Sequence, residues 1–151
     1  MTNVLSNLSK IQKDKMTDSF IDLLNNDNQE RALYELHFSD LDINNISTQY
    51  NLNALMIACI RGFRNLVSEI LSIPSCNPMI TNFKGMNALS YAVKYNQPEV
   101  IDFLVNDPQI DSTITIPNYK LSDHDTINML LYSVLTSNVY IVDLFLNRGN
   151  I

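Results

Sequence analysis

The chain has 151 residues, 46% hydrophobic and 17% charged, with a formal net charge of −6. That length and balance describe one domain with enough apolar residues for a core, and with only three glycines and five prolines they exclude a low-complexity or disordered chain. The acidic balance and the lack of a basic stripe exclude a phosphate-backbone binder, so neither nucleic acid nor an anionic membrane is expected as a partner and basic proteins fit better.

The chain begins "MTNVLSNLSKIQKDKM", which lacks the apolar stretch of a secretory signal. Residues 1–16 read as a tail or a short extra helix. The charges Lys10, Lys13, Asp14 and Lys15 read as a solvated face. No apolar run reaches the roughly 18 residues of a membrane span. The two cysteines, Cys59 and Cys76, form neither a disulfide framework nor a zinc set. A soluble, cytoplasmic protein is the simplest expectation, with the nucleus or a host cell as further intracellular destinations. Asparagine is abundant, as nucleotide bias in the genome would also produce.

The first helical pattern is "DSFIDLLNNDNQERALYEL", residues 18–36. Phe20, Ile21, Leu23 and Leu24 supply one helix, and Ala32, Leu33 and Leu36 a second. Its polar residues (Asp27, Asn28, Gln29, Glu30, Arg31) suit a terminal repeat with one side in water. The second pattern, "NALMIACIRGFRNLVSEIL", covers residues 53–71. Asn53 is a helix cap, and Leu55, Ile57, Ala58 and Cys59 line one face. Gly62 marks a turn that takes a left-handed residue, and Leu66, Val67, Ile70 and Leu71 fill the next helix.

"NALSYAVKYNQPEVIDFL", residues 87–104, repeats this phrase 34 positions later. Asn87 caps Leu89, Tyr91, Ala92 and Val93. Pro98 breaks the chain and suits the first turn of the following helix, where Val100, Ile101, Phe103 and Leu104 form the apolar face. A looser copy, "NMLLYSVLTSNVYIVDLFL", follows at residues 128–146, carrying Leu130, Tyr132 and Val134, then Ile141, Val142, Leu144, Phe145 and Leu146. Helices this short are marginal alone, so near-copies must stack to bury their faces.

These residues resemble the ankyrin repeat, whose pattern runs TPLHLAA, a Gly-His turn, EVVKLLL and GADVN. Leu55, Ile57, Ala58, Gly62, Leu66, Val67, Ile70 and Leu71 match it, as do Leu89, Ala92, Glu99, Val100, Ile101, Leu104 and Val105. The last copy matches at Leu130, Ile141, Val142, Phe145, Leu146 and Gly149, "LDIN" at 41–44 stands for the ADVN segment, and Gly85 for the finger-turn glycine. Tetratricopeptide repeats share the period but lack that extended segment and have longer helices. The resemblance implies an all-α solenoid of about four stacked helix–turn–helix units: 17–51 as a degenerate cap, 52–85, 86–126, and an incomplete 127–151. The family's proline is replaced by Ala54, Ala88 and Met129 and its histidine by Met56, Ser90 and Leu131, so its Thr–His brace cannot form and lower stability is expected. The spacing stretches to 41 between Asn87 and Asn128, placing a longer finger or loop in "TIPNYKLSDHDT".

Little points to catalysis. Cys59 and Cys76 read as small buried side chains. His37 and His124 are isolated, Asp123, His124 and Asp125 read as a solvated loop, and no glycine-rich phosphate loop occurs. No enzyme activity, cofactor or metal is expected. The resemblance instead implies a concave recognition surface of finger tips and inner-helix edges. By register it comprises Gln49, Tyr50, Leu52, Ile60 and Arg61; then Phe83, Lys84, Met86, Lys94 and Tyr95; then Tyr119, His124, Asp125 and Ile127. Tyr, Phe, Met and Arg are enriched at interface hot spots, which points to a protein or peptide partner. Two other roles remain open: a structural element assembling through an apolar C-terminal end face (Leu131, Leu135, Leu144), or a targeting module of a larger protein such as an effector enzyme. That end face predicts a homodimer or further repeats.

Overall fold

The computed structural model describes residues 2–111, 115–117, 126–128 and 138–147. Helix α1 runs from Thr2 to Asn25 and α2 from Gln29 to Phe38; α3 and α4 cover Ala54–Arg61 and Arg64–Leu71; α5 and α6 cover Ala88–Lys94 and Pro98–Val105. A two-stranded antiparallel hairpin, β1 (Thr115–Pro117) and β2 (Thr126–Asn128), pairs Ile116 with Ile127 inside the lengthened segment. Helix α7, Val139–Asn147, follows. Leu130, Leu131, Tyr132, Val134 and Leu135, expected in the inner helix of the last unit, lie outside the described residues.

Helices α1, α3 and α5 stack as an inner row, and α2, α4, α6 and α7 as an outer row, with each inner helix also packed on the outer helix that follows it through the first three units. The stacking changes what an inner helix must look like. One apolar face was expected on α3, yet every residue from Ala54 to Cys59 is buried, Met56 included. A helix flanked by α1, α5 and α4 has almost no solvent side, so it is apolar all round. Burying one such leucine contributes about 1.5–3 kcal/mol, which offsets the weakness of an eight-residue helix.

The turns repeat as closely as the helices. Asp27, Gly62 and Asn96 each adopt a left-handed backbone, with φ of 58°, 70° and 57°. Gly62 N–H donates to the Cys59 carbonyl at 3.2 Å and Phe63 N–H to the Ala58 carbonyl at 3.1 Å; Asn96 and Gln97 repeat the pair on Val93 and Ala92, and Asp27 and Asn28 on Leu24 and Leu23. This pair of hydrogen bonds satisfies helix carbonyls that have no partner within the helix. Asn53 Oδ1 accepts from Met56 N–H at 2.9 Å and starts α3. At α5, Asn87 Oδ1 accepts from Ser90 N–H at 2.9 Å while Ser90 Oγ accepts from Asn87 N–H at 3.3 Å. A reciprocal Asn–Ser cap thus stands where the family's Thr–His brace would be.

The N-terminal segment is neither a tail nor a separate short helix. With no glycine or proline from Thr2 to Asn25, α1 continues unbroken. Of its charges Lys15 is exposed as expected, whereas Lys10, Lys13 and Asp14 are engaged. Lys10 Nζ donates to Asp14 Oδ1 at 2.6 Å, Asn45 Oδ1 at 2.7 Å and the Ile46 carbonyl at 2.9 Å, and Lys13 pairs with Asp42 at 2.7 Å. These bonds tie α1 to the loop after α2.

Candidate functional site

The two described fingers are built alike. Asn51 and Gly85, with φ of 54° and 69°, turn the chain at each tip. Ser47 Oγ accepts from Gln49 N–H at 3.1 Å and Tyr50 N–H at 3.0 Å, while Asn82 Oδ1 accepts from Lys84 N–H at 3.0 Å and Met86 N–H at 3.1 Å. The fingers are also joined to each other. Asn82 Nδ2 donates to the Asn51 carbonyl at 2.9 Å, and Phe83 N–H donates to Asn51 Oδ1 at 3.0 Å. A tip held at both ends presents its side chains without a large ordering cost on binding.

The residues expected to face a partner divide into three groups. Gln49, Phe83, Lys84, Lys94 and Tyr95 are exposed, Phe83 at 82% and Tyr95 at 48%. Tyr50, Leu52, Ile60 and Arg61 are half-buried, and part of each is already engaged: Tyr50 O–H donates to Asp22 at 2.6 Å, Leu52 and Ile60 pack on the core, and Arg61 pairs with Asp27 while lying 5.7 Å above the Phe63 ring. The bond to Asp22 pushes the Tyr50 phenol up from its ordinary pKa. Met86 is the correction: expected to face outward, it is 2% exposed, because its backbone closes the finger and its side chain joins the core. Tyr119, His124 and Asp125 lie outside the described residues, and Ile127 is placed as a β2 residue opposite Ile116.

The structure adds residues that register alone did not select. Tyr91 O–H accepts from Asn82 Nδ2 at 2.7 Å and its ring lies 6.3 Å from that of Tyr95, so finger and helix form one wall. Lys94 Nζ lies 5.9 Å from the Tyr95 ring. On the other side of the first finger, Asp14, Asp18 and Asp22 follow at four-residue steps on one face of α1, a spacing legible in sequence as a row aimed at one neighbour. Asp18 accepts from Ser47, Asp22 from Tyr50, and Asp14 from Lys10, Asn45 and Thr48. Burial pushes the Asp14 carboxyl up, but the Lys10, Asn45 and Thr48 bonds outweigh it and hold it at about 2.

The thiols sit elsewhere. Cys59 and Cys76 are free and buried. Burial pushes the Cys59 thiol far above its ordinary value and the Cys76 thiol up to about 11, with the nearby Cys76 and Asp107 respectively adding to each. His37 stands exposed on α2, its Nε2 3.6 Å from Glu69. A cleft of about 200 Å³ between α1 and the end of α2, lined by Lys15, Met16, Phe20, Glu35, Ser39 and Leu41 among others, belongs to the first unit and includes none of the groove residues. Among the described residues no cluster of His, Cys, Asp or Glu could hold a metal ion, and no helix is long and apolar enough to cross a membrane.

Stacked helical hairpins with bonded fingers along one side define a repeat solenoid of the kind that recognises other proteins. The family model for ankyrin repeats, in three copies, matches residues 21–118, and the chain belongs to the ankyrin repeat family. Members of that family are generally protein–protein interaction modules and typically lack catalytic activity. No curated protein matches the sequence.

Proposed function

We propose that the chain is a non-catalytic recognition module that takes up a protein or peptide on its concave surface, with Phe83, Lys84, Lys94 and Tyr95 at the centre and Gln49, Tyr50, Leu52, Ile60 and Arg61 beside them. The supporting observation is Phe83: a phenylalanine left 82% exposed at a tip whose backbone is fixed by Asn82 and Asn51. An aromatic ring on a rigid mount loses little freedom when a partner covers it. The test is a titration of a captured and purified partner against Phe83→Ala/Tyr95→Ala. The double substitution is expected to weaken binding by tenfold or more, on the order of hot-spot losses, with helical content unchanged. Unchanged affinity removes this surface from consideration.

A second reading is favoured by α7, which exposes Val139, Tyr140 and Leu146 at 82%, 56% and 54%. Three exposed apolar side chains on the last described helix suit self-association or cover by further protein. Light scattering that shows a monomer at all accessible concentrations counts against self-association.

A further inference from the structure

We propose that the groove is selective for an acidic peptide segment carrying an apolar residue between its carboxylates. The proposal rests on the concave surface being the binding face and names the partner's chemistry. The net charge of −6 by itself favours basic partners. What an incoming chain meets at the second finger and the end of α5, however, is the positive charge of the exposed Lys84 and Lys94.

Four aspartates of the first unit are engaged within the chain. Asp14 is held by Lys10, Asn45 and Thr48, Asp18 by Ser47, Asp22 by Tyr50, and Asp27 by Arg61. Arg61, the cation of the second unit's inner helix end, is neutralised by the same pairing. One repeat further on the position changes. Lys84 on the finger and Lys94 at the end of α5 are both exposed, and among the described residues neither has a carboxylate partner. Beside them stand the exposed rings of Phe83 and Tyr95, an aromatic wall backed by the buried Tyr91, which bonds Asn82 and lies 6.3 Å from the Tyr95 ring.

The wall therefore offers an apolar centre with an ammonium at each end. Helix α5 has seven residues and is about 10 Å long, so the two ammonium groups stand roughly that far apart plus the reach of the finger. An extended chain advances about 3.3 Å per residue and turns every second side chain to one face, so carboxylates four positions apart, about 13 Å, reach both lysines while the side chain midway between them lies on Phe83 and Tyr95. The contact of Lys94 with Tyr95 at 5.9 Å is open to solvent and is readily exchanged for a carboxylate. A basic peptide laid on this wall faces two like charges.

The experiment uses the full chain and synthetic peptides of about ten residues in three sets: a central Leu or Phe flanked by Asp/Glu, by Lys/Arg, or by Asn/Gln. The acidic set is expected to bind best, with affinity falling as salt rises. Lys84→Glu/Lys94→Glu is expected to weaken the acidic set about tenfold or more at low salt and to strengthen the basic set. Both are exposed surface positions, and circular dichroism checks that the fold is kept. If the basic or neutral set binds best and Phe83→Ala/Tyr95→Ala abolishes it, the acidic preference is overturned while the groove stands. The acidic preference also falls if the acidic set binds but ignores the lysine reversal. If no set binds, or binding ignores Phe83→Ala/Tyr95→Ala, the groove assignment falls and the preference with it.

Discussion

The side-chain amide of Gln97 lies directly over Gly62 and donates from Nε2 to the Ile60 carbonyl at 2.8 Å, bridging the turns of two consecutive units. A β-carbon at position 62 would meet Gln97 Oε1 at 2.2 Å on a backbone whose φ is +70°. Gly62 is therefore required twice, by its own conformation and by its neighbour's bond. Gly62→Ala should cost about 2 kcal/mol, from left-handed strain of about 1–2 kcal/mol and a weakened hydrogen bond. Gln97→Ala should cost about 1 kcal/mol, and the double variant less than the sum because the clash disappears. Urea denaturation of the four proteins measures this, and additive losses would show that the two residues are uncoupled.

The cap on α5 is a buried reciprocal pair. Asn87→Ala and Ser90→Ala should each destabilise by about 1 kcal/mol, and together by less than the sum, since each removes the same pair. Loss of only a few tenths in chemical denaturation would mean that water replaces the cap.

Leu89 is 1% exposed in α5, the inner helix packed on α3. Leu89→Ala should cost about 2–5 kcal/mol, the range for a buried leucine whose site cannot collapse. In a solenoid that loss should spread to the neighbouring units, visible as loss of amide protection in both α3 and α5.

The pH dependence follows from Asp14. Its folded pKa of about 2 lies below the ordinary 3.8, so its contribution is fully present above pH 4 and is lost as pH falls from about 4 to 2. Asp42, lowered chiefly by its hydrogen bond from Lys13, acts in the same direction. Stability measured by denaturant at a series of pH values should drop in that window. Asp14→Asn should lower stability at pH 7 and flatten the acid slope. An unchanged slope would detach the network from folding.

Both thiols are buried and held protonated, Cys76 at about 11 and Cys59 higher. A thiol reagent at pH 8 should label neither quickly in the native state, with Cys76 ahead of Cys59, which sits wholly inside α3. Mass spectrometry after brief labelling, with and without urea, reads the order. Rapid labelling of native Cys59 would contradict its placement.

Much of the site's frame is legible in residue order. The cap residues Asn53 and Asn87, the turn at Gly62 and the break at Pro98 are local signals, because a helix end is satisfied by atoms within a few residues of it. The left-handed Asp27 and Asn96 were legible in principle, by aligning them with Gly62, since Asp and Asn tolerate that conformation better than other side chains do. The abundance of asparagine has structural content too: Asn53 and Asn87 cap, Asn51 and Asn96 turn, and Asn82 joins the fingers.

What residue order alone determined is the repeat: which short segments are helical, where they stop, and that each needs a neighbour. Tertiary structure alone decided which side chains remain free. Met86 belongs to the core rather than the surface, and Arg61 pairs with Asp27 while Lys84 and Lys94 stand open. Helical periodicity is a property of the chain's own backbone, whereas burial and charge pairing depend on what the next unit brings within a few ångströms.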